Sequence, residues 1–214
     1  ILILGSSGML GTQMVATFSK IDKKSNFKIF TSSRKKSKNK IFFDVLKKET
    51  YKNINVIKPN YIINCIGLIK PKISINSSQS NVECLKINSI LPIYLSNNFK
   101  NSKIIHFSSD GVFNGSKGRY LENDKPSSTD IYGVSKSMGE IVKKNVMNIR
   151  CSIIGFEKKT NYSILNWFLN VNSKKIKGYN DQFWNGITTL ALSKICVGII
   201  KTKLFRNGLF HIFS

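Results

Sequence analysis

Tyr132 and Lys136 stand four residues apart in the stretch "DIYGVSKSMGE", Asp130 to Glu140. On a helix that spacing puts both side chains on one face. A tyrosine ordinarily titrates near pH ~10, and an ammonium beside it favours the phenolate, so the pair is expected to hold the Tyr132 pKa down. A phenol tuned in this way gives and takes a proton near neutral pH, as a general acid–base must. The same ammonium suits the ribose hydroxyls of a nicotinamide cofactor. Ser109 closes the strand-like run "KIIHFSS", and its hydroxyl suits a carbonyl oxygen. Together the three side chains fit the reduction of a carbonyl that receives a hydride and takes its proton from Tyr132. The spacing alone carries little, because most Tyr–Lys pairs four apart are unremarkable surface neighbours.

A hydride donor needs a seat, and the beginning of the chain offers one. Gly5, Gly8 and Gly11 form G-x-x-G-x-x-G between the apolar run "ILIL" and the helical segment "TQMVATFSK". Glycines there permit a tight turn and a close approach of backbone to a pyrophosphate, and the following helix offers N–H groups and the positive end of its dipole. The backbone from Ser7 through Met9 and Leu10 lies in that turn. About 20 residues on, a carboxylate would bind the ribose of NAD. The sequence instead reads Ser32-Ser33-Arg34-Lys35, hydroxyls and cations that suit a 2′-phosphate. NADP is therefore favoured over NAD, although in a lysine-rich chain Arg34 and Lys35 also suit a solvated loop. Asp44, with Val45 beside it, is placed to meet the adenine edge.

These residues need a frame. "ILIL", "FKIFTSS" (Phe27–Ser33), "KIFFDV" (Lys40–Val45), "YIINCIG" (Tyr61–Gly67), "KIIHFSS" (Lys103–Ser109) and "NIRCSII" (Asn148–Ile154) read as strands. Helices are expected after the glycine turn, at Leu46–Ile57, at Val82–Phe99 with Pro92 kinking or breaking it, around Tyr132, and at Tyr162–Asn172 and Leu190–Lys201. "GLFHIFS" reads as a final strand. Strands alternating with helices predict an α/β, doubly wound parallel (Rossmann) sheet. Residues 1–154 are expected to form the NAD(P)-binding domain. Residues 155–214 are expected to supply a small, incomplete C-terminal substrate lobe that interleaves with it. The chain opens at Ile1 inside a strand, so a preceding initiator segment is expected.

The formal charge of +23 invites a nucleic-acid reading. Of 34 basic residues, however, only Arg34, Arg119, Arg150 and Arg206 are arginines. Lysine, asparagine and isoleucine enriched together point to compositional bias rather than a selected nucleic-acid surface, so no nucleic-acid partner is expected. Apolar residues make up 41%, which argues against disorder. No apolar run reaches the length of a membrane span, and a cytoplasmic location is expected. Cys65, Cys84, Cys151 and Cys196 are scattered without metal-ligand spacing, so free buried thiols and no metal are expected.

Taken in order, the motifs identify a family likeness. Gly5/Gly8/Gly11, Ser109, Tyr132 and Lys136 resemble the extended branch of the short-chain dehydrogenase/reductase superfamily. "HFSSDGVFNG", "YGVSK..GE", "RCSIIG" and "QFWNGITT" resemble its dTDP-4-dehydrorhamnose reductase-like subgroup, over nearly the whole chain. The resemblance implies NADP-dependent reduction of a 4-keto group on a nucleotide-linked deoxy sugar, in surface polysaccharide biosynthesis. It places the catalytic roles on Ser109 (Ser108 competing), Tyr132 and Lys136. It places cofactor contacts on Cys65, Ile66 and Gly67 of "NCIG" and on the helical Asn88. Substrate contacts would fall on Ser109, Asp110, Lys70 and Trp184, the last two being equally at home as a surface lysine and a packed tryptophan. Gly111 stands where the rhamnose enzyme usually has an aromatic residue, and the family usually continues past Ser214. A homodimer stays open as the assembly.

Alternatives follow from the same residues. A nucleotide-sugar epimerase or dehydratase of this superfamily is one, and a dehydratase would want a Glu after Asp110, where "SSDG" has glycine. A non-catalytic cofactor-binding subunit is another, as in the regulatory subunit of methionine adenosyltransferase, which resembles the same subgroup. Arg150 in an apolar strand is expected to be paired structurally, because a bare charge there is costly. His106 is expected to be a hydrogen-bonded sheet residue and not a catalyst.

Overall fold

A computed structural model describes residues 1–22, 27–157, 162–172, 175–181 and 183–214. In chain order its elements are β1 (Leu2–Leu4), α1 (Met9–Asp22), β2 (Phe30–Ser33), β3 (Ile41–Phe42), α2 (Tyr51–Asn55) and β4 (Tyr61–Asn64). They continue with α3 (Ser78–Leu85), α4 (Leu91–Asn98), β5 (Lys103–Phe107), α5 (Ile131–Met138) and β6 (Val146–Arg150). The last are β7 (Ile153–Ile154), α6 (Ile164–Asn170), β8 (Ile187–Thr188), α7 (Thr189–Lys201) and β9 (Gly208–His211).

Seven strands form one sheet in the order β3-β2-β1-β4-β5-β6-β9, and every neighbouring pair is parallel. This is the doubly wound arrangement the alternating pattern predicts. The order reverses between β1 and β4, so a crevice opens there beyond the C-terminal strand ends. Burial on both faces explains why β1 reads as an unbroken apolar run and β4 is apolar up to Asn64. On one face Ile3, Ile63, Ile105, Met147 and Ile149 pack against Met14 and Phe18 of α1 and Leu192 and Cys196 of α7. On the other, Leu2, Leu4, Ile62, Ile104 and Val146 pack against Ile54, Ile87, Leu91 and Leu95. Although α7 and β9 lie within 155–214, they complete the main layers: α7 packs beside α1, and β9 pairs with β6. No helix among the described residues is long and apolar enough to cross a membrane.

Several elements differ from expectation. β3 stops at Phe42 because Phe43 turns into the second core and Asp44 starts a turn, its N–H bonded to Thr50 Oγ1 at 3.1 Å. The helix expected at Leu46–Ile57 is one tight turn, Lys48–Thr50, followed by the short α2. The sixth run divides, since β6 ends at Arg150 and Ile153–Ile154 leave to pair with β8 in a separate two-stranded ribbon. The long helix starts earlier, at Ser78, where Ser77 Oγ accepts from Ser80 N–H. It does not break at Pro92. It widens into a π-helical turn over Lys86–Ile90 and continues directly as α4, and this widening, one turn ahead of Pro92, accommodates a ring that a regular helix interior does not. Such widened turns often accompany functional sites, and this one carries the fully buried Asn88.

Candidate active site

The glycine turn is shaped by two contacts. Gly5 has φ +73°, the left-handed region, and a Cβ there would lie 2.9 Å from Ile66 Cγ1. A Cβ at Gly11 would overlap the Gly5 carbonyl oxygen, so glycine lets α1 close onto the end of β1. Gly8 is exposed, and a Cβ on it would touch only Gly5 O, at 3.5 Å. The turn is therefore open outward at Gly8 and Ser7, beside the N-terminus of the 14-residue α1 with its unpaired N–H groups. Leu10, expected near a cofactor, buries its side chain in the first core. Ser6 ties the turn to β2 by bonds from its N–H (3.0 Å) and Oγ (2.9 Å) to Ser32 O.

At the end of β2, Arg34 and Lys35 are exposed, with no carboxylate beside them in sequence. Ser33 turns its hydroxyl back onto Lys35 O at 2.6 Å. Asp44 caps its own turn, accepting from Leu46 N–H at 3.1 Å, and the Val45 side chain packs into the second core. These residues thus fit an adenosine 2′-phosphate through Arg34 and Lys35, while Leu10 and Val45 are core residues whose backbone alone remains for a ligand.

Beyond β4, Cys65, Ile66 and Gly67 form the turn facing Gly5. A Cβ at Gly67 would lie 3.1 Å from Lys136 Nζ, so the glycine makes room for the lysine. Asn88, expected as a cofactor contact, is instead fully enclosed. Its Oδ1 accepts from Leu68 N–H at 2.8 Å, and its Nδ2 donates to Leu68 O at 3.1 Å and Ser135 Oγ at 3.0 Å. It clamps the turn to α5 and has no surface left for a ligand.

Asp130 begins α5 as its cap, with Oδ1 accepting from Gly133 N–H at 2.9 Å. Its Oδ2 pairs with Lys70 Nζ at 2.8 Å. Burial works against the charge, but the Lys70 and Gly133 hydrogen bonds hold the Asp130 carboxyl below its usual value. α5 then delivers Tyr132 to Ser109. A Cβ at Gly111 would lie 3.1 Å from Tyr132 Cε1 and 3.2 Å from Ser109 Oγ, which fixes how closely the three residues meet. Ser109 Oγ donates to Asp110 Oδ1 at 3.1 Å and accepts from Gly111 N–H at 3.0 Å. Ser108 turns the other way, donating to Glu140 Oε1 at 2.6 Å. Tyr132, Ser109, Asp110, Gly111, Lys70 and Asp130 line one cavity of about 440 Å³, together with Phe113, Asn114, Ser128 and Thr129.

The expected electrostatics of the Tyr–Lys pair need correction. Burial raises the Tyr132 pKa; the Ser109 hydrogen bond pulls it down by less, and the Asp110 carboxylate adds to the rise. Lys136 does not offset this, because its ammonium is turned inward and donates to Phe107 O at 3.0 Å. Burial lowers the Lys136 pKa to about 8. The arrangement is a protonated phenol facing the cavity and a buried ammonium behind it, suited to giving a proton rather than withdrawing one.

Around this centre the remaining candidates sort themselves. Arg150 and Glu140 form a buried two-pronged pair at 2.8 Å for each prong, with the guanidinium over Phe113. Trp184 folds back onto the β7–β8 ribbon, its Nε1 donating to Ser152 Oγ at 2.8 Å and its ring over Gly186, away from the cavity lining. Gln182 of the "QFWNGITT" stretch lies outside the described residues. The four cysteines are free, and burial pushes the Cys151 thiol up to about 12. No group of three His, Cys, Asp or Glu among the described residues could hold a metal ion. Sequence reasoning missed Asp130, although an Asp before an apolar-periodic run is a readable cap signal. It also missed Phe113, Asn114, Ser128 and Thr129, which no local pattern marks.

Comparison with known proteins agrees on the architecture. A family model described as the RmlD substrate binding domain matches residues 1–214. No curated protein matches the sequence. A dTDP-4-dehydrorhamnose reductase from Clostridium acetobutylicum superposes with TM-score 0.81 at 22% identity, over 100% of this chain and 73% of its own. The Bacillus anthracis dTDP-4-dehydrorhamnose reductase, in complex with NADP, gives 0.78 at 21% identity, over 100% and 73%. The Thermus thermophilus UDP-glucose 4-epimerase, in complex with NAD, gives 0.74 at 13% identity, over 100% and 77%. At these identities the likeness is one of fold.

Proposed function

We propose a function for this chain from one premise: it belongs to the RmlD substrate binding domain family, whose model matches it from residue 1 to residue 214. The chain is an oxidoreductase that reduces the 4-keto group of a nucleotide-linked deoxy sugar, with NADP as its coenzyme, in surface polysaccharide synthesis in the cytoplasm. The observation that carries this reading is the convergence of Ser109 and Tyr132 on one cavity, with Lys136 buried behind them. In this reading residues 1–154 hold the coenzyme, and residues 155–214 complete the sheet and contribute to the substrate side.

When bound, NADPH supplies the hydride. The Gly5–Gly11 turn and the α1 N-terminus receive the pyrophosphate, and Arg34 and Lys35 receive the 2′-phosphate. With substrate bound, Ser109 Oγ turns its one proton from Asp110 Oδ1 to the substrate carbonyl oxygen and fixes its direction. Tyr132 Oη gives its proton to that oxygen as charge develops there. The raised phenol pKa keeps that proton in place at neutral pH. Lys136 supplies the positive charge behind Tyr132 and donors for the ribose. Lys70 stands at the rim of the cavity, where it meets the substrate diphosphate.

The test is NADPH oxidation by the full-length protein against dTDP- and UDP-linked 4-keto-6-deoxy sugars. Turnover of at least one of them is expected. Interconversion of sugar epimers without net NADPH oxidation would replace the reductase reading with an epimerase. Coenzyme binding with no turnover on the whole panel would favour a binding subunit.

A further inference from the structure

A row of buried polar side chains crosses the centre of the sheet on the face of the second core. Asn64, His106 and Asn148 are register partners on β4, β5 and β6. Each is at most 1% exposed. Hydrogen-bond chemistry fixes their orientations in sequence. Ile66 N–H donates to Asn64 Oδ1 at 3.2 Å. Asn64 Nδ2 therefore faces His106 Nδ1, at 3.1 Å. An amide donor at that position requires a bare Nδ1, so the ring proton sits on Nε2. Turning the Asn64 amide over would set N–H against N–H at Ile66. Burial, with help from the Lys136 charge, lowers the His106 pKa to about 3, so the ring is neutral. Among the described residues Nε2 has no hydrogen-bond partner, and neither has Asn148 Oδ1 on the next strand, a donor and an acceptor on register partners. Asn148 Nδ2 is anchored on Ile141 O at 3.0 Å.

We propose that His106 is a positioning residue for the coenzyme turn: through Asn64 it holds Ile66 N–H and so sets Cys65–Gly67 between the glycine loop and Lys136. The turn has little freedom on either side. Gly5 has room for no Cβ against Ile66 and the Cys65 carbonyl, and Gly67 passes directly beneath Lys136 Nζ. A turn released at Ile66 presses on both. This rests on the reading that the turn faces a dinucleotide.

The test begins with the unmutated full-length protein. Long-range proton–nitrogen spectra of histidine-labelled chain, with His211 assigned through His211→Gln, should show His106 neutral with its proton on Nε2. A proton on Nδ1 overturns the proposal without any variant at His106. NADPH affinity is then titrated by fluorescence for His106→Leu, Asn64→Leu and the double variant. Each single change should weaken binding about tenfold, the worth of one hydrogen bond. The double should lose no more than Asn64→Leu alone, because the two act in series. His106→Gln, which keeps an acceptor for Asn64, should recover most of the affinity. Additive losses, or unweakened binding by His106→Leu, overturn the proposal alone. An unmutated chain that binds neither NADPH nor NADH overturns the coenzyme reading and the proposal together.

Discussion

Lys136→Met should make the protein more stable while removing its activity. The Lys136 side chain is buried, and its pKa falls from 10.5 to about 8, with burial the largest cause. Below pH 8 both folded and unfolded chains carry the ammonium, and the folded chain bears the full cost of burying it. At about 1.4 kcal/mol per tenfold, that cost is about 3 kcal/mol. As pH rises from about 8 towards 10.5 the folded chain releases the proton first and the cost is relieved, so this group makes stability rise with pH across that window. Methionine matches the length without the charge. It forfeits the hydrogen bond to Phe107 O, worth about 1 kcal/mol. The net gain at pH 7 is about 2 kcal/mol, or roughly 4–8 °C in a chain of this size. Urea unfolding at pH 7, 8, 9 and 10 measures it. The unmutated chain should gain stability relative to the variant as pH rises, and the difference should vanish near pH 10. A variant less stable at pH 7, or one whose difference does not change with pH, would refute the account of a buried, unrelieved ammonium.

Tyr132→Phe should lower turnover about 10²–10⁴-fold with NADPH affinity and melting temperature held, because the ring keeps its packing and loses only the hydroxyl that gives the proton; a variant at the unmutated rate would make the binding-subunit reading the better one. Gly8→Val should abolish NADPH binding yet leave the circular dichroism unchanged, since a Cβ there meets only Gly5 O at ordinary contact distance; retained binding would put the pyrophosphate elsewhere. Arg34→Ala should narrow the preference for NADPH over NADH by roughly 1.5–3 kcal/mol, a charge-assisted hydrogen bond, as read by calorimetry on both coenzymes; an unchanged preference would sink the 2′-phosphate assignment. Glu140→Gln should destabilise by about 3–5 kcal/mol, because it leaves the buried Arg150 charge without its carboxylate. Removing both as Glu140→Gln/Arg150→Met should cost less, and equal losses would count against the pair.

The sequence made the frame legible where physics is local. Apolar runs marked the buried strands, the glycine spacing marked the turn after β1, and Tyr132–Lys136 fell on one helical turn. Arg150 was expected to be paired and it is, with Glu140. What was not legible depends on contacts between distant segments. Nothing near Tyr132 in sequence says that it is buried, which is what raises its pKa, nor that the Lys136 ammonium turns under Phe107 O and does not offset that rise. Nothing near Asn88 says that Leu68 and Ser135 use its whole amide. Trp184 could not be placed from its motif, since its position is set by Ser152 and Gly186 on the other side of the ribbon. Pro92 suggested a break, and the helix absorbed it by widening one turn earlier.

That widened turn governs which length changes the chain can accept. Each residue of a helix advances it by about 100°, so removing one from Lys86–Ile90 would take out the widening that accommodates Pro92, whose ring and missing N–H do not suit a regular α-helix. The rotation would fall on everything beyond it. Leu91 and Leu95 could not face the second core while Asn88 and Ser89 still faced α5, where Ser89 Oγ now bonds Ser135 O at 2.7 Å. Such a deletion would therefore disconnect the coenzyme turn from the helix bearing Tyr132. The exposed loop from Gly115 to Arg119, past the cavity-lining Asn114, can change length with no such consequence. Drift in chain length should accumulate in that loop and be excluded from the helix, even though the helix looks the more regular of the two.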